Sequence, residues 1–147
     1  MALLDQLNDD LKAAMKSGEK VRVETIRLLR GQLKDFQINQ KRAPSAEEEI
    51  EALMSAAKKR REAMAAYRNA GRDELADKES AELEIISSYL PRALAPAEIE
   101  ALVTAAIQET GAKGAGDLGK VMGKIMPQIK GRADGKAVQQ LVRERLG

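Results

Sequence analysis

Leu3, Leu4, Leu7, Leu11, Ala14 and Met15 recur three and four residues apart, the spacing of one helix face. Ser17-Gly18 closes that stripe with a C-cap signal. A second helix is predicted from near Glu19 to about Gln40, with Val23, Ile26, Leu29, Leu33 and Phe36 on its apolar side. Pro44 follows, and Ser45 with Glu48 three residues on is a capping-box signature. The third helix carries Ile50, Leu53, Ala57, Met64 and Tyr67 and ends at Asn69-Ala70-Gly71. Asp73 is placed to cap a fourth, which turns Leu75, Leu83, Ile86, Tyr89 and Leu90 inward.

The pattern breaks at YLPRALAP (89–96), where two prolines stop one helix and permit another to start. We expect a domain boundary here, dividing the chain into 1–94 and 95–147. Ile99, Leu102, Val103, Ala106 and Ile107 mark a fifth helix, and GAKGAG (111–116) reads as a flexible turn. Asp117 is placed to cap a sixth helix, with Leu118, Val121, Met122, Ile125 and Ile129 on its apolar side. Gly131 is a C-cap signal, Asp134 the next N-cap, and Val138, Leu141, Val142 and Leu146 form the stripe of a seventh helix. No alternating strand pattern occurs anywhere. The expected fold is all-α, four helices followed by a small three-helix C-terminal domain.

Composition supports that fold. Of 147 residues, only Phe36, Tyr67 and Tyr89 are aromatic, so the core must be aliphatic, Met and Ala. There is no Cys and no His, which removes thiol nucleophiles, imidazole acid–base chemistry, disulfides and zinc sites. Serines have no His partner, Asp9-Asp10 and Glu47–Glu49 sit in first helical turns, and nothing is spaced as an all-carboxylate ligand set. We therefore expect no catalytic residues, no metal and no cofactor. The N-terminal MALLDQLNDDLK is acidic where a signal peptide is basic, and no apolar run reaches the roughly 18 residues that span a bilayer. The expected location is cytoplasmic, with no membrane partner.

Charge is unevenly spread. Residues 1–94 carry 17 basic and 17 acidic side chains, whereas from Gly111 onward eight bases face three acids, a net of +5. In the first part, KKRRE (58–62) follows EEEIE (47–51), and glutamate–lysine or glutamate–arginine pairs at helical spacing explain the run. In the second part the bases are mixed with glycine. Gly119 and Gly123 are four apart and share a helix face. Either another helix crosses closely there, or a ligand approaches the backbone. KGRADGK (130–136) joins two helices, and Lys130, Arg132 and Lys136 surround the start of the last one, where Asp134 competes for the free N–H groups. The order Gly-Lys-Ser/Thr of a P-loop is absent.

The run GDLGKVMGKIMPQIKGRADGKAV, from Gly116 to Val138, closely resembles the GatB/YqeY family. The stretches LLDQLNDDLKAAMKSGEK (3–20), AYRNAGRDELADKE (66–79) and SYLPRALAPAEIEALV (88–103) agree with it, so the resemblance covers essentially the whole chain. It implies a free-standing YqeY-like protein. Its C-terminal domain would be related to the tail of the B subunit of tRNA-dependent amidotransferases, a module that binds the outer corner of tRNA. Carried over to this chain, the RNA-binding positions are Lys120, Lys124, Lys130, Gly131, Arg132, Gly135 and Lys136. The family label is glutamine-dependent carbon–nitrogen ligase. The catalytic body of the B subunit and the amidase subunit are missing from this chain, so the resemblance implies an accessory role in amidation or aminoacylation. The expected partners are tRNA and an aminoacyl-tRNA synthetase or amidotransferase, not DNA. With no aromatic residue after Tyr89, the basic half cannot build an aromatic stacking platform, and folded RNA read by shape is the target that fits. The alternative is a helical protein-interaction module that docks a synthetase or amidotransferase. A stand-alone amidotransferase would need chemistry that these residues do not supply.

Overall fold

The computed structural model describes residues 2–147. It contains α1 (Leu3–Ser17), α2 (Lys20–Gln40), α3 (Ala46–Asn69), α4 (Asp73–Ser87), α5 (Pro96–Thr110), a 3-10 turn (Ala115–Asp117), α6 (Leu118–Ile129) and α7 (Gly135–Leu146). No strand occurs among the described residues, and the fold is all-α as expected. The chain divides into two compact units, Met1–Leu90 and Pro91–Gly147.

In the first unit, α1 packs on α2 and α3 on α4, while α2 also touches α3 and α4. Leu7, Ile26, Leu29, Leu33, Leu53 and Ile86 fill the core, and Ala14, Ala56 and Ala57 let the helices approach. The glycines that follow α1 and α3 have a physical task. Gly18 and Gly71 adopt φ of 74° and 72°, a left-handed conformation that suits glycine. The chain then folds back so that Glu19 N–H reaches Ala14 C=O and Arg72 N–H reaches Tyr67 C=O. Tyr89 donates its hydroxyl to Asp10 at 2.5 Å. Burial, and then that carboxylate, push the Tyr89 phenol well up.

Several side chains depart from the periodic reading. Met15 and Leu75 are exposed rather than inward, because each lies at the edge of a stripe whose centre is already filled by Ala14 and Ala76. Asp73 does not cap α4: it lies inside the helix and pairs with Arg68 at 3.7 Å. In KKRRE, Arg60 does not pair along its own helix. It reaches α4, where Glu79 and Glu82 lie at 3.3 and 3.4 Å. Burial raises the Glu82 pKa, and the neighbouring Glu79 adds to that shift.

The second unit packs α5, α6 and α7 around Val103, Ala106, Val121, Ile125, Ile129, Val138 and Val142. The core has no aromatic ring and few large side chains, so polar contacts fix the connections. GAKGAG leads into the 3-10 turn. Gly111, at φ 65°, ends α5, and the Asp117 carboxylate accepts the Lys113 N–H at 3.0 Å instead of capping α6. The strap before α5 is held by Leu94 N–H donating to Arg132 C=O at 2.8 Å.

One device starts a helix in each unit. Arg42 binds Glu48 through both terminal nitrogens, at 2.7 and 3.0 Å, and Glu48 accepts the Ser45 N–H. Arg92 binds Glu98 in the same way, at 2.9 and 2.8 Å, and Glu98 accepts the Ala95 N–H. The Ser45 hydroxyl oxygen in turn accepts the Glu48 N–H, but Ala95 has no hydroxyl and only half of the capping box forms at α5. The arginine, followed by the backbone N–H, holds each carboxyl down at about 2. A depressed carboxyl stabilises the fold above its unfolded pKa, and this contribution fades as pH falls toward the folded value. Glu98→Gln is therefore expected to melt at a lower temperature than wild type at pH 7. The gap should close between pH 5 and 2 in a thermal-denaturation series, and should narrow in high salt because the pair is exposed.

Candidate nucleic-acid interface

α6 buries Val121, Ile125 and Ile129. Its opposite side carries Gly119, Lys120, Gly123, Lys124 and Pro127, all exposed. A Cβ built at Gly119 or Gly123 would meet nothing within 4 Å. The close helix crossing is therefore excluded, and the glycines face open solvent. An exposed helical glycine costs about 1 kcal/mol relative to alanine. No packing contact offsets that cost here.

Pro127 alters the same face. It has no N–H, so the Gly123 carbonyl, four residues back, loses its usual helical donor. The helix nevertheless continues to Ile129. Helical periodicity sets Lys120 and Lys124, one turn apart, along one flank of the glycines. Neither lysine has an ion pair among the described residues. On the other flank, Met126 extends until its Sδ lies 3.8 Å from where a Gly135 Cβ would sit, which brings the start of α7 to that side.

The remaining expected positions fall around the α6–α7 turn. Gly131 makes the turn at φ 76°. Lys130 is half-buried and has a partner within the chain. Lys136 is exposed in the first turn of α7, and its N–H donates to the Asp134 carboxylate at 3.1 Å. That carboxylate occupies the helix start, as the spacing predicted. Arg132 is half-buried and its Nε donates to Arg92 C=O at 3.1 Å, so it braces the strap before α5. Arg145 turns away onto α5, where it pairs with Glu100 and donates to Thr104.

Beyond Lys124, on the side away from the glycines, Gln128 borders an open cleft of about 340 Å³. Leu94, Glu98, Ala101, Leu102 and Arg132 complete its lining. Sequence spacing gives no sign of this cleft. Its walls come from the strap, α5 and the α6–α7 turn, and the strap and that turn are more than thirty residues apart along the chain.

A family model described as "Yqey-like protein" matches residues 4–146. The chain belongs to the YqeY-like family. It is 34% identical over 155 residues to "Altered inheritance of mitochondria protein 41, mitochondrial" of Pyrenophora tritici-repentis, covering 99% of this chain and 81% of that protein. It also resembles the E subunit of the glutamyl-tRNA(Gln) amidotransferase of Thermococcus gammatolerans, 39% identical over 57 residues, 36% of this chain and 9% of that protein. The corresponding protein of Methanopyrus kandleri is 53% identical over 34 residues, 23% of this chain and 5% of its own length. Both amidotransferase matches are partial, so the likeness is to a small segment of each.

Gly119→Ala and Gly123→Ala add a methyl group into open space at helical positions. Each is expected to stabilise the protein by about 0.5–1 kcal/mol. Urea denaturation checks this, and destabilisation by either variant would mean that the glycine face is covered.

Proposed function

We infer that the second unit binds tRNA through the glycine and lysine face of α6, as an accessory to tRNA-dependent amidation or aminoacylation. The observation that carries this reading is the pair of exposed glycines. Their cost to the helix has no structural return, and they lie directly beside two unpaired lysines. A surface stripped of side chains lets a bulky polyanion come close to the backbone. The Gly123 carbonyl, which has no N–H donor at Pro127, offers an acceptor there, and ribose hydroxyls are the donors that RNA brings. The lysines supply charge to phosphate. The partial likeness to glutamyl-tRNA(Gln) amidotransferase proteins supports tRNA as the RNA.

Filter retention of total tRNA by the purified protein tests this. With about four phosphate contacts, affinity should fall about a hundred-fold between 50 and 200 mM salt. Lys120→Glu with Lys124→Glu should abolish retention while the helical circular-dichroism signal is unchanged. Retention that survives the double variant at low salt would dispose of the reading.

The first unit favours a second role, docking of a synthetase or amidotransferase. Ile38 is 73% exposed and Leu28 40% exposed on α2, on either side of Gly31, another glycine in open space. If a partner docks there, Leu28→Asp with Ile38→Asp should abolish its capture and leave tRNA retention intact.

A further inference from the structure

The cleft beside Gln128 has a chemistry of its own. Leu94 and Leu102 are half-buried and, with the methyl group of Ala101, give it an apolar floor. One wall is the Arg132 guanidinium. Its Nε is fixed on Arg92 C=O, and its two terminal nitrogens make no hydrogen bond or ion pair among the described residues, although its charge acts on the Glu98 carboxylate. The Gln128 amide donates to Lys124 C=O at 3.1 Å, which leaves its own oxygen unpaired. The Glu98 carboxylate, held ionised by Arg92, also lines the cleft.

These groups select among ligands. A phosphate suits the arginine fork, but it would share the cleft with the Glu98 carboxylate and lie over an apolar floor, so an anion is disfavoured. A neutral flat ring with acceptors on one edge satisfies the whole site. Guanine presents O6 and N7 to an arginine fork as adjacent acceptors, and adenine places a donor where O6 would be. Gln128 lies one turn from Lys124, so the phosphate attached to such a base lies within reach of that lysine.

We propose that this cleft takes one unpaired guanine of an RNA whose backbone lies along Lys120 and Lys124, with Arg132 reading the O6/N7 edge. The proposal rests on the RNA-binding reading above and adds a base preference that shape recognition alone does not give. It needs no aromatic ring, because the apolar floor of Leu94, Ala101 and Leu102 supports a face of the base.

The test uses the full chain and fluorescein-labelled RNA hairpins that differ only in one unpaired loop residue: guanine, adenine or 7-deazaguanine. Fluorescence anisotropy is expected to give at least five-fold tighter binding to the guanine hairpin than to either of the others. Ala101→Phe fills the cleft from an exposed position and should bring all three hairpins to one affinity with the salt dependence unchanged. Equal affinity of wild type for the three hairpins, with binding still salt-sensitive, overturns the guanine site and leaves the tRNA reading standing. A preference that persists in Ala101→Phe also overturns the site. Failure of wild type to bind any hairpin or total tRNA overturns both.

Discussion

The hydrogen bond from Leu94 N–H to Arg132 C=O, with the return bond from Arg132 Nε to Arg92 C=O, organises the second unit. A core of valine, isoleucine and alanine stabilises by burial, which has no direction and does not by itself hold a connecting strap in one place. These two bonds do. They join the strap before α5 to the turn after α6, and so they set the wall of the cleft and the start of α5 together. Arg92 is shared, because its side chain clamps Glu98 while its carbonyl accepts from Arg132.

That constraint redistributes the positive charge. Of the terminal bases, Arg145 is neutralised by Glu100, Lys130 has a partner within the chain, and Arg132 has one nitrogen fixed. Lys113, Lys120, Lys124, Lys136 and Arg143 remain exposed. Two of the three acids are occupied as well, Glu144 being exposed. Asp117 and Asp134 accept backbone N–H groups and carry no ion pair to the lysines among the described residues. The net charge of the segment is thus carried at the surface by fewer side chains than its composition suggests, and those on α6 share one face.

Helix positions were legible in the sequence because the aliphatic spacing and the glycine stops are local signals. Gly18 and Gly71 end helices where the pattern placed them, and Ser45 with Glu48 forms the capping box that its spacing announced. The side-chain partners were less legible. Asp73 and Asp117 have capping chemistry, but nearer donors, Arg68 and the Lys113 N–H, claim their carboxylates. Arg60 looks like part of a solvated run until α4 supplies two glutamates across the helix pair. Within the site, the shared face of Lys120 and Lys124 follows from periodicity alone. The bracing role of Arg132 depends on a strap about forty residues away, and no local pattern encodes it.

The bare side of α6 differs in kind from its lysines. A lysine can be replaced by glutamate, and the surface then repels what it attracted. The peptide groups at Gly119 and Gly123 allow no such inversion, because their dipoles are the same whatever the residue type. Only added bulk can remove them from reach, so that part of the surface responds to volume and is indifferent to sign.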